Sequence, residues 1–139
     1  MFRRLLVPVD FTPRSRRAVA VAARLAAASK AETVLLHVVE RIGGDGQRVL
    51  AGFYRKLERS ARSRMNDLLA IFQKKGLEAR GEVVYGSRVN EILRFADASR
   101  ADLVVMSSHK LPLRGGGENW GTISYKVGIL SRCPVLLVK

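Results

Sequence analysis

"LLVPVDFTPRSRRAVAVAARLA", Leu5 to Ala26, decides the fold. Leu5 to Val9 is a continuous apolar run, the pattern of a short strand covered on both faces, as in a parallel sheet. Thr12-Pro13 then reads as an N-cap followed by proline at the first helical position. Beyond it Ala18, Val21, Ala22, Leu25 and Ala26 recur at helical spacing, with Arg14, Arg17 and Arg24 on the other side. A strand therefore passes through a short turn into a helix, and Asp10 stands in that turn.

The same step recurs along the chain. "ETVLLHVVE" (32–40) is a second buried strand, followed by the glycine-rich loop "RIGGDGQ" (41–47). From Val49 the period is helical, with Leu50, Phe53, Leu57, Ala61, Met65, Leu68 and Phe72 facing inward. Arg48, Arg55, Arg59 and Arg62 form a stripe on another face, and Gly76 stops the helix. "LEARGEVVYG" (77–86) is a third strand. Ser87 is the expected cap of a third helix that turns Val89, Ile92, Leu93 and Ala96 inward. "ADLVVMSS" (101–108) is a fourth strand, Ile123 to Leu130 a short helix, and Pro134 to Val138 a fifth strand. Strand–helix alternation that ends on a strand predicts an α/β fold: one doubly wound open sheet of five parallel strands, helices on both faces, right-handed crossovers. Residues 1–139 are expected to form one domain, without repeat, linker or low-complexity tail.

The totals narrow the function classes. The 139 residues are 47% hydrophobic, enough to bury a core. No apolar stretch approaches the length of a membrane span. The apolar run at the N-terminus is too short for the core of a signal peptide, so the expected location is the cytoplasm. The lone Cys133 sits in "CPVLLV" without metal-ligand spacing and reads as a small buried hydrophobe. A net charge of +13 invites an anionic partner. No helix-turn-helix, zinc spacing or aromatic–basic platform accompanies it, which argues against a specific nucleic-acid reader. The arginine stripe is a solvated coat or a surface for an acidic protein.

Ligands of open α/β sheets bind beyond the carboxyl ends of the strands, near the reversal of strand order. Asp10 follows the first strand directly, and its carboxylate can accept from ribose hydroxyls or an adenine amino group; it can also cap the following helix. The second candidate is "MSSHKLPLRGGGENWGT" (106–122). Gly121-Thr122 opens a helix whose first amides lack intrahelical partners, which makes an anion site. Thr122 and Ser124 add hydroxyls, and Lys110 and Arg114 add charge. The alternative is a plain surface loop ending in a threonine cap.

These blocks resemble the universal stress protein family over nearly the whole chain. "LLVPVDFTPRSRRAVAVAARLA" is similar to its opening strand, aspartate and first helix, and "TVLLHVVE" to its second strand. "ADLVVMSSHK" and "GTISYKVGILSRCPVLLVK" are similar to its fourth strand and its last helix and strand. The resemblance implies strand order 3-2-1-4-5 and a homodimer paired through the last strand. It implies a stress-response or signalling role; many members bind ATP and others do not. Members that bind nucleotide carry G-x2-G-x9-G-[ST] after a methionine that matches Met106. Here the first two glycines fall on Ser107 and Lys110, and ten residues rather than nine separate Lys110 from Gly121-Thr122. The phosphate loop is thus altered, while the adenosine-side residues Asp10, Val38 and Met106 are kept. The implied contacts are Asp10 and Val38 for the base and Ser107, Ser108, His109, Lys110, Gly121, Thr122 and Ile123 for the phosphates. The cofactor is ATP or another adenine nucleotide, with magnesium only as its companion.

Enzymatic chemistry has little support. His37 reads as a buried strand residue, and no acid is set by sequence to orient His109. No catalytic or metal-ligating set is assigned, and slow ATP hydrolysis is left open. The rival function is a dimeric signalling or interaction module of the same fold that binds no ATP.

Overall fold

The computed structural model describes residues 1–41, 47–108 and 122–139, with backbone only for 47–50. The elements run β1 (Arg4–Pro8), α1 (Pro13–Ser29), β2 (Glu32–Val39), α2 (Gln47–Gln73), β3 (Ala79–Tyr85), α3 (Arg88–Ala98), β4 (Leu103–Ser107), α4 (Ile123–Leu130) and β5 (Val135–Val138). All strand pairs are parallel, and the order is β3-β2-β1-β4-β5. The expected α/β sheet and its strand order are both found.

β1 lies at the centre because it is apolar on both sides. Leu5, Val7 and Val9 point into a core shared with α1 and α2, through Ala18, Val19, Ala22, Met65, Leu68 and Phe72. Leu6 points into a second core with Ile92 and Ala96 of α3 and Val127 of α4. β2 and β4 alternate in the same way: Leu35 and Val105 join the first core, Leu36, Val38, Val104 and Met106 the second. At the amino end of the sheet, Asp102 ties β4 to β1. Its carboxylate accepts from the amides of Arg3 and Arg4 at 2.8 and 3.0 Å, and its own amide donates to the Arg4 carbonyl.

The helix caps follow the sequence, with one exception. Thr12 caps α1 by accepting from the Ser15 amide, and Pro13 follows it. α2 closes at Gly76, where the Leu77 amide reaches back to the Phe72 carbonyl. Thr122 caps α4. Ser87 stands at the N-cap of α3 but makes no side-chain capping bond. Cys133 is half-buried rather than buried and packs beside the second core.

α2 departs from its predicted inward face. Ala61, Met65, Leu68 and Phe72 are buried, whereas Phe53 is 49% and Leu57 38% exposed. Facing explains part of the difference: Tyr54 and Glu58 meet Tyr85 at the end of β3, so Phe53 and Leu57 stand to the side of the packed face, and length adds to it. The 27 residues of α2 extend about 40 Å at 1.5 Å per residue, and the seven of β3 about 23 Å. The first turns of α2 outrun the sheet they cover. Among the described residues no helix is long and apolar enough to cross a membrane.

Gly81 lets α2 lie close on β3. A Cβ there would stand 2.3 Å from Met65 Cγ and 2.9 Å from its Sδ. Gly81→Ala is therefore expected to overpack this contact and destabilise the fold by about 1–3 kcal/mol. The effect is read as a lower denaturation midpoint at unchanged slope. In a Met65→Ala background the same substitution should cost less, a coupling that a double-mutant cycle measures directly.

Candidate functional site

The chain leaves β1 at Pro8 and must turn sharply to start α1 on one face of the sheet. Three side chains hold that turn. Asp10 Oδ1 accepts from the Thr12 amide at 3.0 Å and from the Thr12 hydroxyl at 2.6 Å. Thr12 Oγ1 accepts in turn from the Ser15 amide at 3.3 Å, and buried Ser15 Oγ accepts from the Asp10 amide at 3.2 Å. The ring of bonds encloses Phe11, whose φ of 63° is left-handed and strained for a bulky residue. The Phe11 ring is held against His37, with centroids 4.5 Å apart.

Burial works to raise the Asp10 pKa, but the Thr12 hydroxyl and amide, the Arg88 guanidinium and its own backbone amide outweigh it. The carboxyl is held below the ordinary aspartate value, and Asp10 is an anion at neutral pH. Burial lowers the His37 pKa, helped by the positive charges of Arg88 and Arg64. The Val9 carbonyl and Asp10 oppose this without reversing it. His37 is thus neutral at neutral pH, and its Nδ1 donates to the Val9 carbonyl at 2.8 Å. It braces the turn from β2, lying in the strand as expected but half-buried rather than buried.

Strand order reverses between β1 and β4, and a crevice opens there at the carboxyl ends. Pro8, Asp10, Val38, Ile92, Met106, Ser107, Ile123 and Ser124 line it, together with Arg88. Asp10, Val38, Met106, Ser107 and Ile123 were all named from the sequence, and the fold brings them together. Val38 and Met106 are buried and give the crevice an apolar floor. Thr122 sits beside it as the cap of α4, its Oγ1 3.4 Å from the Tyr125 amide and 3.5 Å from Ser124 Oγ. The first-turn amides of α4 lack intrahelical acceptors, as at any helix start. The Ser108 amide is taken by the Val138 carbonyl. Its hydroxyl is buried and has no hydrogen-bond partner among the described residues, as is true of the Thr33 hydroxyl at the other end of the sheet. His109, Lys110 and Gly121, like Arg114 and Gly115 to Gly117, fall outside the described residues.

The crevice as it stands is about 70 Å³, below the roughly 300 Å³ at which small-molecule pockets begin. A hollow of about 640 Å³ lies at the opposite end of the sheet, among Arg4, Glu32, Thr33, Glu78 and Arg80. It is shallow and sits at the amino ends of the strands. The smaller crevice has the switch-point position and the converging polar groups, and those decide for it.

Two charged residues of the region were missed from sequence. Arg88 opens α3 and faces Asp10 across the crevice, and Glu40 follows β2 and meets Arg88. Neither belongs to a local motif. The arginine stripe is partly engaged: Arg62 pairs with Glu58 at 3.2 Å, and Glu58 also accepts from the Tyr85 hydroxyl at 2.8 Å. Arg55 and Arg59 are exposed, and the Arg48 side chain is not described. Among the described residues no cluster of His, Cys, Asp and Glu is able to hold a metal ion.

Comparison with known proteins matches this geometry to one family. The sequence profile described as "Universal stress protein family" matches residues 1–139. The universal stress protein YxiE of Bacillus subtilis is 27% identical over 150 residues, covering all of both chains. A universal stress protein solved in complex with cAMP superposes with a TM-score of 0.74 at 23% identity, over 99% of this chain and 96% of that one. The Archaeoglobus fulgidus universal stress protein in complex with dAMP gives 0.70 at 17% identity, over 100% and 98%. At such identities the superpositions establish the fold, and the profile over all 139 residues establishes the kinship: the chain belongs to the universal stress protein family.

Proposed function

We propose that the chain is an adenine-nucleotide-binding module acting in stress response or signalling in the cytoplasm. Binding, not catalysis, is the proposed activity. The observation that carries it is the convergence of a charged acceptor, an apolar floor and a helix start on one crevice at the switch point. The base would rest near Asp10 and Val38. The phosphates of ATP, with any magnesium they bring, would reach toward Ser107, Ser108 and the amides of Thr122 and Ile123. Two solved relatives with cAMP and dAMP give the ligand class further weight.

A second reading is a ligand-free dimeric module. Serine and lysine at the family's first two glycine positions, and the small volume of the crevice, favour it. Dimerisation belongs to both readings. β5 is an edge strand with Leu136 exposed, and Ile129 and Leu130 stand exposed at the end of α4. An apolar edge of this kind is an aggregation hazard unless it is paired.

Calorimetry separates the readings. Asp10→Asn keeps an oxygen for the Thr12 bonds and removes the charge. It should weaken adenosine and ATP binding by about 1.5–3 kcal/mol, and it should also lower thermal stability, because the folded state favours the Asp10 charge. Changing Ser107 and Lys110 to Gly and deleting one residue before Gly121 should tighten ATP binding. Binding by that variant alone would favour the ligand-free module, and binding by neither would refute a nucleotide site.

The dimer is tested by sedimentation equilibrium. The native chain should be a dimer, and Leu136→Lys should shift it to monomer. A dimer that survives this change, or one formed through Arg55 and Arg59, would overturn the β5 pairing.

A further inference from the structure

Arg88 is the one cation lining the crevice among the described residues. Its Nε stands 3.8 Å from Glu40 Oε1, and its backbone amide is 3.4 Å from the same oxygen. Glu40 thus occupies the position where a helix start takes an anion. The vacancy it fills is real, because Ser87 does not cap α3 with its side chain, and first-turn amides have no intrahelical acceptors. The hold is loose: both contacts are long, the Arg88 side chain is 45% exposed and the Glu40 side chain 55%, and exposed pairs of this kind contribute little.

The start of α3 is set independently of that pair. Gly86 has φ 148° and lies against the Glu91 side chain, 2.8 Å from where a Cβ would stand. Arg88 is therefore fixed at its backbone and free to re-aim at its tip. Arg88 and Asp10 line the same crevice, so an anion entering beside Asp10 meets a cation that offsets the repulsion.

We propose that Arg88 grips the phosphate next to the ribose of a nucleotide bound as proposed above, the reading on which this inference rests, while any outer phosphates run on toward α4, and that Glu40 is an internal stand-in which that first phosphate displaces. Arg88 then sets selectivity for phosphorylated ligands over the bare nucleoside, and Glu40 lowers the affinity by competing for the same guanidinium.

The test is calorimetry of the full chain with adenosine and with 5′-AMP at one ionic strength. Arg88→Ala should weaken AMP on the order of 10- to 100-fold, the range of a charged hydrogen bond, and weaken adenosine far less. Arg88→Lys should recover part of the loss, since it returns a point charge without the planar fork. Glu40→Gln should tighten AMP several-fold without affecting adenosine. Equal losses of AMP and adenosine in Arg88→Ala, by stacking on the base or by support of the fold, would overturn the proposal. So would a Glu40→Gln variant no tighter than the native chain. If the native chain binds both ligands and Arg88→Ala changes neither, the nucleotide reading stands and this inference fails. If the native chain binds neither, both fail.

Discussion

Asp10 holds the chain where it leaves the central strand, and the geometry of the crevice depends on that hold. One carboxylate oxygen takes both donors of Thr12, Thr12 takes the Ser15 amide, and Ser15 takes the Asp10 amide. Such a closed set of bonds is more rigid than its members separately. It keeps Phe11 in a left-handed conformation that a phenylalanine does not adopt unaided. The turn also fixes where α1 begins, and through α1 the first core. The aspartate therefore has a structural role before any ligand arrives, and capping and ligand recognition are compatible because the Thr12 bonds use a single oxygen.

Electrostatics gives the crevice a character unlike the rest of the surface. The chain carries +13, yet the switch point presents an anion, Asp10, facing a cation, Arg88, whose nearest partner is a second anion, Glu40. The general positive field draws anions toward the molecule. Away from the crevice a separate network ties α2 to the end of β3: Tyr85 donates to Glu58, Glu58 pairs with Arg62, and Arg41 lies over the Tyr85 ring at 4.7 Å. Part of the arginine stripe thereby serves as framework.

Much of this was legible in the sequence, and the failures share a cause. The apolar runs of β1, β2 and β4 mark strands buried on both faces, and α4 was bounded at Ile123 and Leu130, after the Gly121-Thr122 opening. Asp10, Val38 and Met106 were legible because strand ends are where such sheets place their sites. Periodicity gives the face of a long helix only roughly, so Phe53 and Leu57 read as core although Tyr54 and Glu58 are the residues that meet the end of β3. Ser87 has the right residue type for a cap, but its hydroxyl makes no capping bond, and the Glu40 carboxylate meets the Arg88 amide instead. The Glu40–Arg88 pair joins residues 48 apart in sequence, and no local pattern announces it. Ser15 was missed for a related reason: its burial comes from the Asp10 turn rather than from an apolar stripe.

The overhang of α2 has a consequence for how the molecule breathes. Resistance of a helix to local opening comes mainly from packing rather than from its own propensity. Phe72, Leu68 and Met65 are locked under the sheet, while Leu57 and Phe53 are not. Amide hydrogen exchange along α2 should therefore form a gradient, slow near Phe72 and progressively faster toward Phe53. The outer turns would unravel and re-form without disturbing the core, and the helix would behave as a rigid root with a pliant tip.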